Sequence, residues 1–427
     1  MRVVTLSNVC SYWRNTFLTT PSLWTEFNGR RVDMSRASIE RSGAMPIQLE
    51  VDDSPDPGFL ELLAPHFPRL DVVNFENIPI PTFHLIKDNH LANMLRSNSL
   101  LRSIRLSVLD YIGPDVRMVP IHGEFPSLER LEFNNVQASI DSIRAPNLRV
   151  LYLTCAYNFA SLLDFLEACP LLENLKLRLR RPDRETPSVR RRIHWENLRT
   201  LVLFRYGLEI IRHISLPPGV EAKFFAPGIP EDQVGQWNGR GSPGLQTWTH
   251  LPMFRQSHSL ALTIIGLHQI VSLKGPNGNL ELRTRLYPPP ACFVLLKSFS
   301  QHSVDTIRSL EVVGVRFGGG NDVDSSSIAD FLRPLNGLRT LELARTTSSP
   351  WMAALGQKYC PQLRDLSLRQ STPPDCEDLI RFVMGRSKAG VPIHRLLATA
   401  DVLDSFHTRE DLGRLEKYVG CVERNLE

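Results

Sequence analysis

The residues with the clearest capacity for chemistry are basic and aromatic side chains at matched places in short apolar repeats: Tyr152, Lys176, Arg178 and Phe204. Each follows a leucine in a stretch where leucines alternate with other residues, so in a strand it points away from the apolar side. Arg130, Glu342 and Arg369 occupy equivalent outward positions. Aromatic rings beside cations suit noncovalent recognition of a partner, not bond-making. A second cluster is charge alone. Arg178 to Arg192 holds seven arginines against Asp183 and Glu185, a local +5 in a chain whose net charge is +4, so the remainder sums to −1. A solvated loop is the ordinary reading of such a run. The sharper one is an acidic or nucleic-acid contact, or a nuclear-import signal, at Arg190, Arg191 and Arg192.

Motifs for covalent chemistry are missing. The sequence has no phosphate-binding Gly-x-x-x-x-Gly-Lys-Ser/Thr, no His-Glu-x-x-His and no Gly-x-Ser-x-Gly. Gly318-Gly319-Gly320 lacks the lysine of a phosphate loop, and no two of the 12 histidines stand at the i,i+4 spacing of a helical metal face. The seven cysteines include no Cys-x-x-Cys pair, which argues against a zinc module or a disulfide framework. No catalytic residue, metal or cofactor is expected, and the protein is read as not an enzyme. No Asn-x-Ser/Thr sequon occurs, no secretory signal opens the chain, and no apolar run approaches the ~20 residues of a membrane span. Cytoplasm or nucleus is the expected location, with no membrane partner.

The elements that position the outward residues repeat through the chain. Pro-x-Leu-x-x-Leu-x-Leu or its close variant begins at Pro126, Pro146, Pro170 and Pro361, and two copies without the proline begin at Leu198 and Leu338. Counting first apolar positions gives strands starting at Leu70, Leu101, Leu128, Leu148, Leu172, Leu198, Ile307, Leu338, Leu363 and Ile393. Most intervals fall near the roughly 20–29 residues of leucine-rich repeats. Helical spacing separates them at Leu162–Leu166, Ile328–Leu332 and Leu379–Val383. One such unit cannot bury its apolar side alone, whereas stacked units can. The expected fold is therefore α/β, a leucine-rich-repeat-like solenoid with a curved parallel sheet and outer helices. An atypical insertion is expected at about 226–300. Within it Pro276-Asn277-Gly278-Asn279 turns a hairpin. A closing helix is expected at about 403–422, where Leu412, Leu415, Val419 and Val422 share one helical face.

The amino-terminal stretch reads Val9-Cys10-x-x-Trp13, Phe17, then Thr-Pro21-Ser-Leu23-Trp24. It resembles the final helix and exit of an F-box, and Glu40-Arg-Ser-Gly43 with Pro46 extends the resemblance to fungal F-box proteins of the mushroom-forming kind. The earlier Leu-Pro-x-Glu-type helix of that motif is not in the sequence, so residues 1–26 are expected to be its carboxy-terminal remnant and 27–427 the repeat domain. The resemblance implies a Skp-type adaptor and a cullin as partners, docked through Val9, Cys10, Trp13, Phe17, Pro21, Leu23 and Trp24. It also implies an unknown protein substrate held by the repeats for ubiquitin-dependent degradation. A scaffold without a ligase link is the alternative, and nuclear or nucleic-acid association through the arginine loop is the third reading. Nucleic acid is the least expected partner, because no aromatics interleave with the arginines to stack bases.

Overall fold

The computed structural model describes residues 10–29, 32–52, 55, 57–86, 90–95, 99–109, 121–136, 140–155, 158–179, 192–225, 251, 256–265, 268–285, 306–314, 325–356, 359–370, 376–404, 406 and 409–425. The architecture is mixed α/β with mostly parallel strand pairing. In chain order the strands are β1 Glu26–Phe27, β2 Ile47–Asp52, β3 Leu70–Ile78, β4 Ser103–Val108, β5 Gly123–Glu124, β6 Arg130–Asn134 and β7 Ile143–Arg144. There follow β8 Val150–Cys155, β9 Asn174–Leu179, β10 Ile193–His194, β11 Thr200–Arg205, β12 Ile214–Ser215 and β13 Val220–Phe225. The last eight are β14 Ser259–Ile265, β15 His268–Gly275, β16 Gly278–Arg285, β17 Ser309–Val313, β18 Thr340–Ala344, β19 Asp365–Arg369, β20 Ile393–Thr399 and β21 Val419–Asn425. The chain divides into two compact units, Met1–Leu201 with His213–Ser215, and Val202–Arg212 with Leu216–Glu427.

In the first unit β1, β2, β3, β4, β6, β8 and β9 pair in sequence order, every pair parallel. The register aligns the apolar positions, with Leu131 beside Leu151 and Leu151 beside Leu175. Phe133, Leu153 and Leu177 form the next row, and all six side chains are buried. Each such burial contributes about 1.5–3 kcal/mol, so stacked leucines fix which face is inside and hence the register. The helix Phe159–Glu167 crosses between β8 and β9. Asn158 starts it by accepting from the N–H groups of Ala160 and Ser161, and Leu162, Leu163, Phe165 and Leu166 are buried.

The second unit repeats the scheme. β14, β17, β18, β19, β20 and β21 pair in parallel. Leu310, Leu341, Leu366 and Leu396 are aligned and buried. Helices Ser325–Leu332, Ser349–Leu355 and Cys376–Lys388 lie between these strands in sequence. After β17 and β18 the chain bends through left-handed Gly314 and Arg345, whose N–H groups donate to Ala344 and Arg369 carbonyls at 2.9 Å each. β15 and β16 form the hairpin expected around Pro276–Asn279, β14 adds to it antiparallel, and β13 pairs in parallel with β16. Most of the atypical stretch before β14, residues 226–250, lies outside the described residues.

The end of the chain differs from the expected closing helix. Helix Arg409–Glu416 carries buried Leu415, but Val419–Asn425 is a strand paired in parallel with β20. The β20 edge would otherwise leave a row of backbone N–H and C=O groups without partners, which a strand satisfies and a helix cannot. Cys169 and Cys360 sit in equivalent turns ahead of prolines. Burial pushes both thiols up to about 12, so they pack as small apolar groups.

Candidate functional site

In the first unit the outward residues form a row across six strands. The register places Glu50, Asn74, Arg105, Glu132, Tyr152 and Lys176 side by side. Glu132 lies at its middle, accepting from Arg105 Nε at 2.8 Å and from Arg130 Nη1 at 3.1 Å. Lys176 Nζ sits 4.1 Å from the centre of the Tyr152 ring. The Tyr152 hydroxyl lies 3.5 Å from Asn134 Oδ1, and Asn134 Nδ2 donates to Ser107 Oγ at 3.3 Å. Burial pushes the Tyr152 phenol above its ordinary value, while the Arg178 charge opposes the rise and the Glu132 charge adds to it. The phenol is therefore a neutral hydrogen-bonding group near neutral pH.

Tyr152, Lys176 and Arg178 are thus brought together, with Thr154 the register partner of Arg178. Phe204 belongs to the second unit, where its ring stacks on Phe225 with centroids 4.3 Å apart and planes 11° from parallel. Glu342 and Arg369, also in the second unit, form an ion pair at 3.2 Å. They line a shallow depression of about 260 Å³ with Glu311, Arg345, Gln370 and Thr399. Arg105, at an outward position of β4, completes the first-unit cluster with Glu132 and Asn134 although the sequence reading did not select it. The signal was present: Leu101-x-x-Ile104-x-Leu106 places Arg105 outward by the rule that selected Arg130. Double-mutant cycles should give a Tyr152–Lys176 coupling of about 0.5–1 kcal/mol, measured by denaturation of Tyr152→Leu, Lys176→Met and the double variant. Additive single effects would show that the ring and the cation are merely adjacent.

The amino-terminal residues make a second surface. Helix Ser11–Thr19 has no buried residue; Tyr12 is 73% and Trp13 47% exposed, and Trp13 stacks on half-buried Phe17 with centroids 5.6 Å apart. Cys10 and Pro21 are exposed, as is Leu23 at 38%. Trp24 is the anchor at 4% exposure, its Nε1–H donating to the Phe17 carbonyl at 2.7 Å and its ring 4.4 Å beneath the Arg41 guanidinium. Trp24 thereby holds the helix by its end and leaves the Tyr12–Trp13 face open. Val9, Arg190 and Arg191 lie outside the described residues, and Arg192 is exposed.

Among the described residues no group of His, Cys, Asp and Glu side chains could hold a metal ion, and no helix is long and apolar enough to cross a membrane. Comparison of the sequence with protein-family models and with curated proteins gives no match.

Proposed function

We propose that the protein is a non-enzymatic substrate-recognition adaptor of a cullin ubiquitin ligase. In this reading the amino-terminal helix docks a Skp-type adaptor, and a leucine-rich-repeat-like solenoid presents outward residues to a protein substrate in the cytoplasm or nucleus. The observation that carries the reading is the helix Ser11–Thr19. A nine-residue helix that buries none of its side chains yet exposes Tyr12 and Trp13 does not exist to complete the fold it belongs to. Adjacent exposed aromatics are enriched where a partner completes the burial. Its sequence is also the part that resembles an F-box. The parallel strands with outward Tyr152, Lys176 and Arg178 supply a second, separate recognition surface, as a bridging adaptor requires.

The test is co-purification with a Skp-type adaptor. Binding is expected and should weaken by more than about tenfold in Tyr12→Ala/Trp13→Ala, because buried aromatics dominate interface energies. If neither this chain nor a form extended upstream binds, the ligase role fails and a repeat scaffold without a ligase link takes its place.

A further inference from the structure

The residue directly after the first apolar position of each repeat occupies one backbone ladder. In the first unit these residues are Asp71, Arg102, Glu129, Arg149, Glu173 and Arg199, each N–H donating to the carbonyl of the one before it. Their signs alternate without exception. Arg102 grips both oxygens of Asp71 at 2.6 and 2.5 Å, and Arg149 meets Glu173 at 2.5 Å, so this ladder neutralises itself.

The same ladder in the second unit reads His258, Arg308, Arg339, Arg364 and His394, again joined N–H to carbonyl in order. No acid interrupts it. His258, Arg339, Arg364 and His394 are exposed, and Arg308 is steered along the ladder by its bond from Nη1 to the Gly337 carbonyl at 3.1 Å. Neighbouring strands are about 4.8 Å apart, so the five side chains form a basic ridge roughly 19 Å long. Acidic residues of these strands and of β21 belong to the following rows: Glu311 lies beside Glu342 in register, Glu342 is bound to Arg369 at 3.2 Å, and Glu423 of β21 to Arg395 at 2.6 Å. Asp365, beside Arg364 in sequence, acts on Arg395. Arg339 and Arg364 make no ion pair among the described residues.

Like charges on adjacent strands destabilise a sheet, and the first unit shows that this backbone position tolerates the neutral arrangement. We infer that the ridge His258–Arg308–Arg339–Arg364–His394 is a binding site for an acidic, Asp- or Glu-rich segment of a partner protein lying across the strands. Arginine forks match carboxylates two hydrogen bonds at a time. A nucleic acid is the poorer fit. The ridge and the row beside it, Ser309, Thr340, Asp365 and Arg395, contain no Phe, Tyr or Trp on which bases could stack. The site stands on the second unit alone and does not depend on adaptor docking by helix Ser11–Thr19.

The experiment measures fluorescence anisotropy of a labelled oligoglutamate peptide with the full chain. Binding at low salt is expected, weakening as salt rises. Arg339→Glu/Arg364→Glu should lower affinity by about tenfold or more, since charge reversal at a rim acts strongly on both encounter and retention. Arg333→Glu/Arg381→Glu, the same charge change at exposed positions just after one helix and within another, should leave binding unchanged. If the reversed double variant does not fold, Arg339→Gln/Arg364→Gln replaces it, with circular dichroism as the check. No binding at low salt overturns the inference, as does equal loss in both double variants. Tighter capture of a single-stranded oligonucleotide of equal charge through the same arginines would also overturn it.

Discussion

Replacing Arg386 with methionine is expected to destabilise the second unit by about 3 kcal/mol, a large share of the stability of an ordinary domain. Arg386 is 4% exposed, in the last turn of the helix Cys376–Lys388, and no carboxylate among the described residues pairs with it. Its Nη1 donates to the Tyr359 carbonyl at 3.1 Å. Its Nη2 donates to the carbonyls of Cys360 at 3.1 Å and Leu363 at 3.2 Å. These carbonyls lie in the turn leading into β19, which Cys360 bends through a left-handed φ of 51°. One guanidinium therefore satisfies the backbone of the preceding repeat's turn while anchoring its own helix.

The sign follows from two opposing effects. Burial weakens the cation and pulls its pKa down, so removing it relieves a desolvation cost. Against this stand three charge-assisted hydrogen bonds at roughly 1.5–3 kcal/mol each; the Tyr359 and Leu363 carbonyls would lose this donor, while the Cys360 carbonyl keeps the Leu363 N–H at 3.0 Å. The second effect is the larger. Arg386→Lys should recover only part of the loss, because one ammonium cannot reproduce the spread of a planar fork. Urea denaturation followed by circular dichroism measures both variants. A methionine variant within about 1 kcal/mol of the parent would remove the stapling role.

Arg386 also marks where reading the sequence stops. The parallel strands were legible because Leu-x-x-Leu-x-Leu fixes both period and face, and the stacked rows Leu131–Leu151–Leu175 and Leu310–Leu341–Leu366 realise that pattern. The intervening helices were legible from apolar residues three and four apart, and the hairpin after β15 from Pro276-Asn277-Gly278. An arginine in a helix that otherwise reads as amphipathic looks solvated, and only the position of the neighbouring turn shows that it points inward. The final strand was hidden for a similar reason. Val419 and Val422 suit a helical face as well as a strand, and the exposed edge of β20 decides between them. Of the candidate site, Tyr152 and Lys176 were legible because equivalent positions of adjacent repeats become neighbours. The Glu132 pairing with Arg105 and Arg130 was not, since it joins β4 to β6 and side-chain direction along the row selects the partners. The contrast between the two charge ladders was present in the letters after each first leucine, but acquires meaning only once those residues are known to share one line of hydrogen bonds.

Gly278→Ala should be at least as damaging as the loss of Arg386, at about 3 kcal/mol or more. Gly278 opens β16 opposite Val220 of β13, with φ at 115°. A Cβ built there would lie 2.3 Å from the Val220 carbonyl oxygen and 2.9 Å from its nitrogen. Both are backbone atoms of a paired strand, so no side-chain rotation relieves the clash, and the parallel pairing of β13 with β16 must open instead. Gly219 separates this effect from backbone strain alone. Its φ of 87° is also unfavourable to alanine, yet a Cβ there meets nothing within 4 Å. Gly219→Ala should therefore cost only about 1–2 kcal/mol. Denaturation gives the two costs, and amide hydrogen exchange over Val220–Phe225 locates them, with protection lost in Gly278→Ala and kept in Gly219→Ala. Equal costs for the two variants would mean that left-handed geometry, not the approach of β13, is what demands glycine at the start of β16.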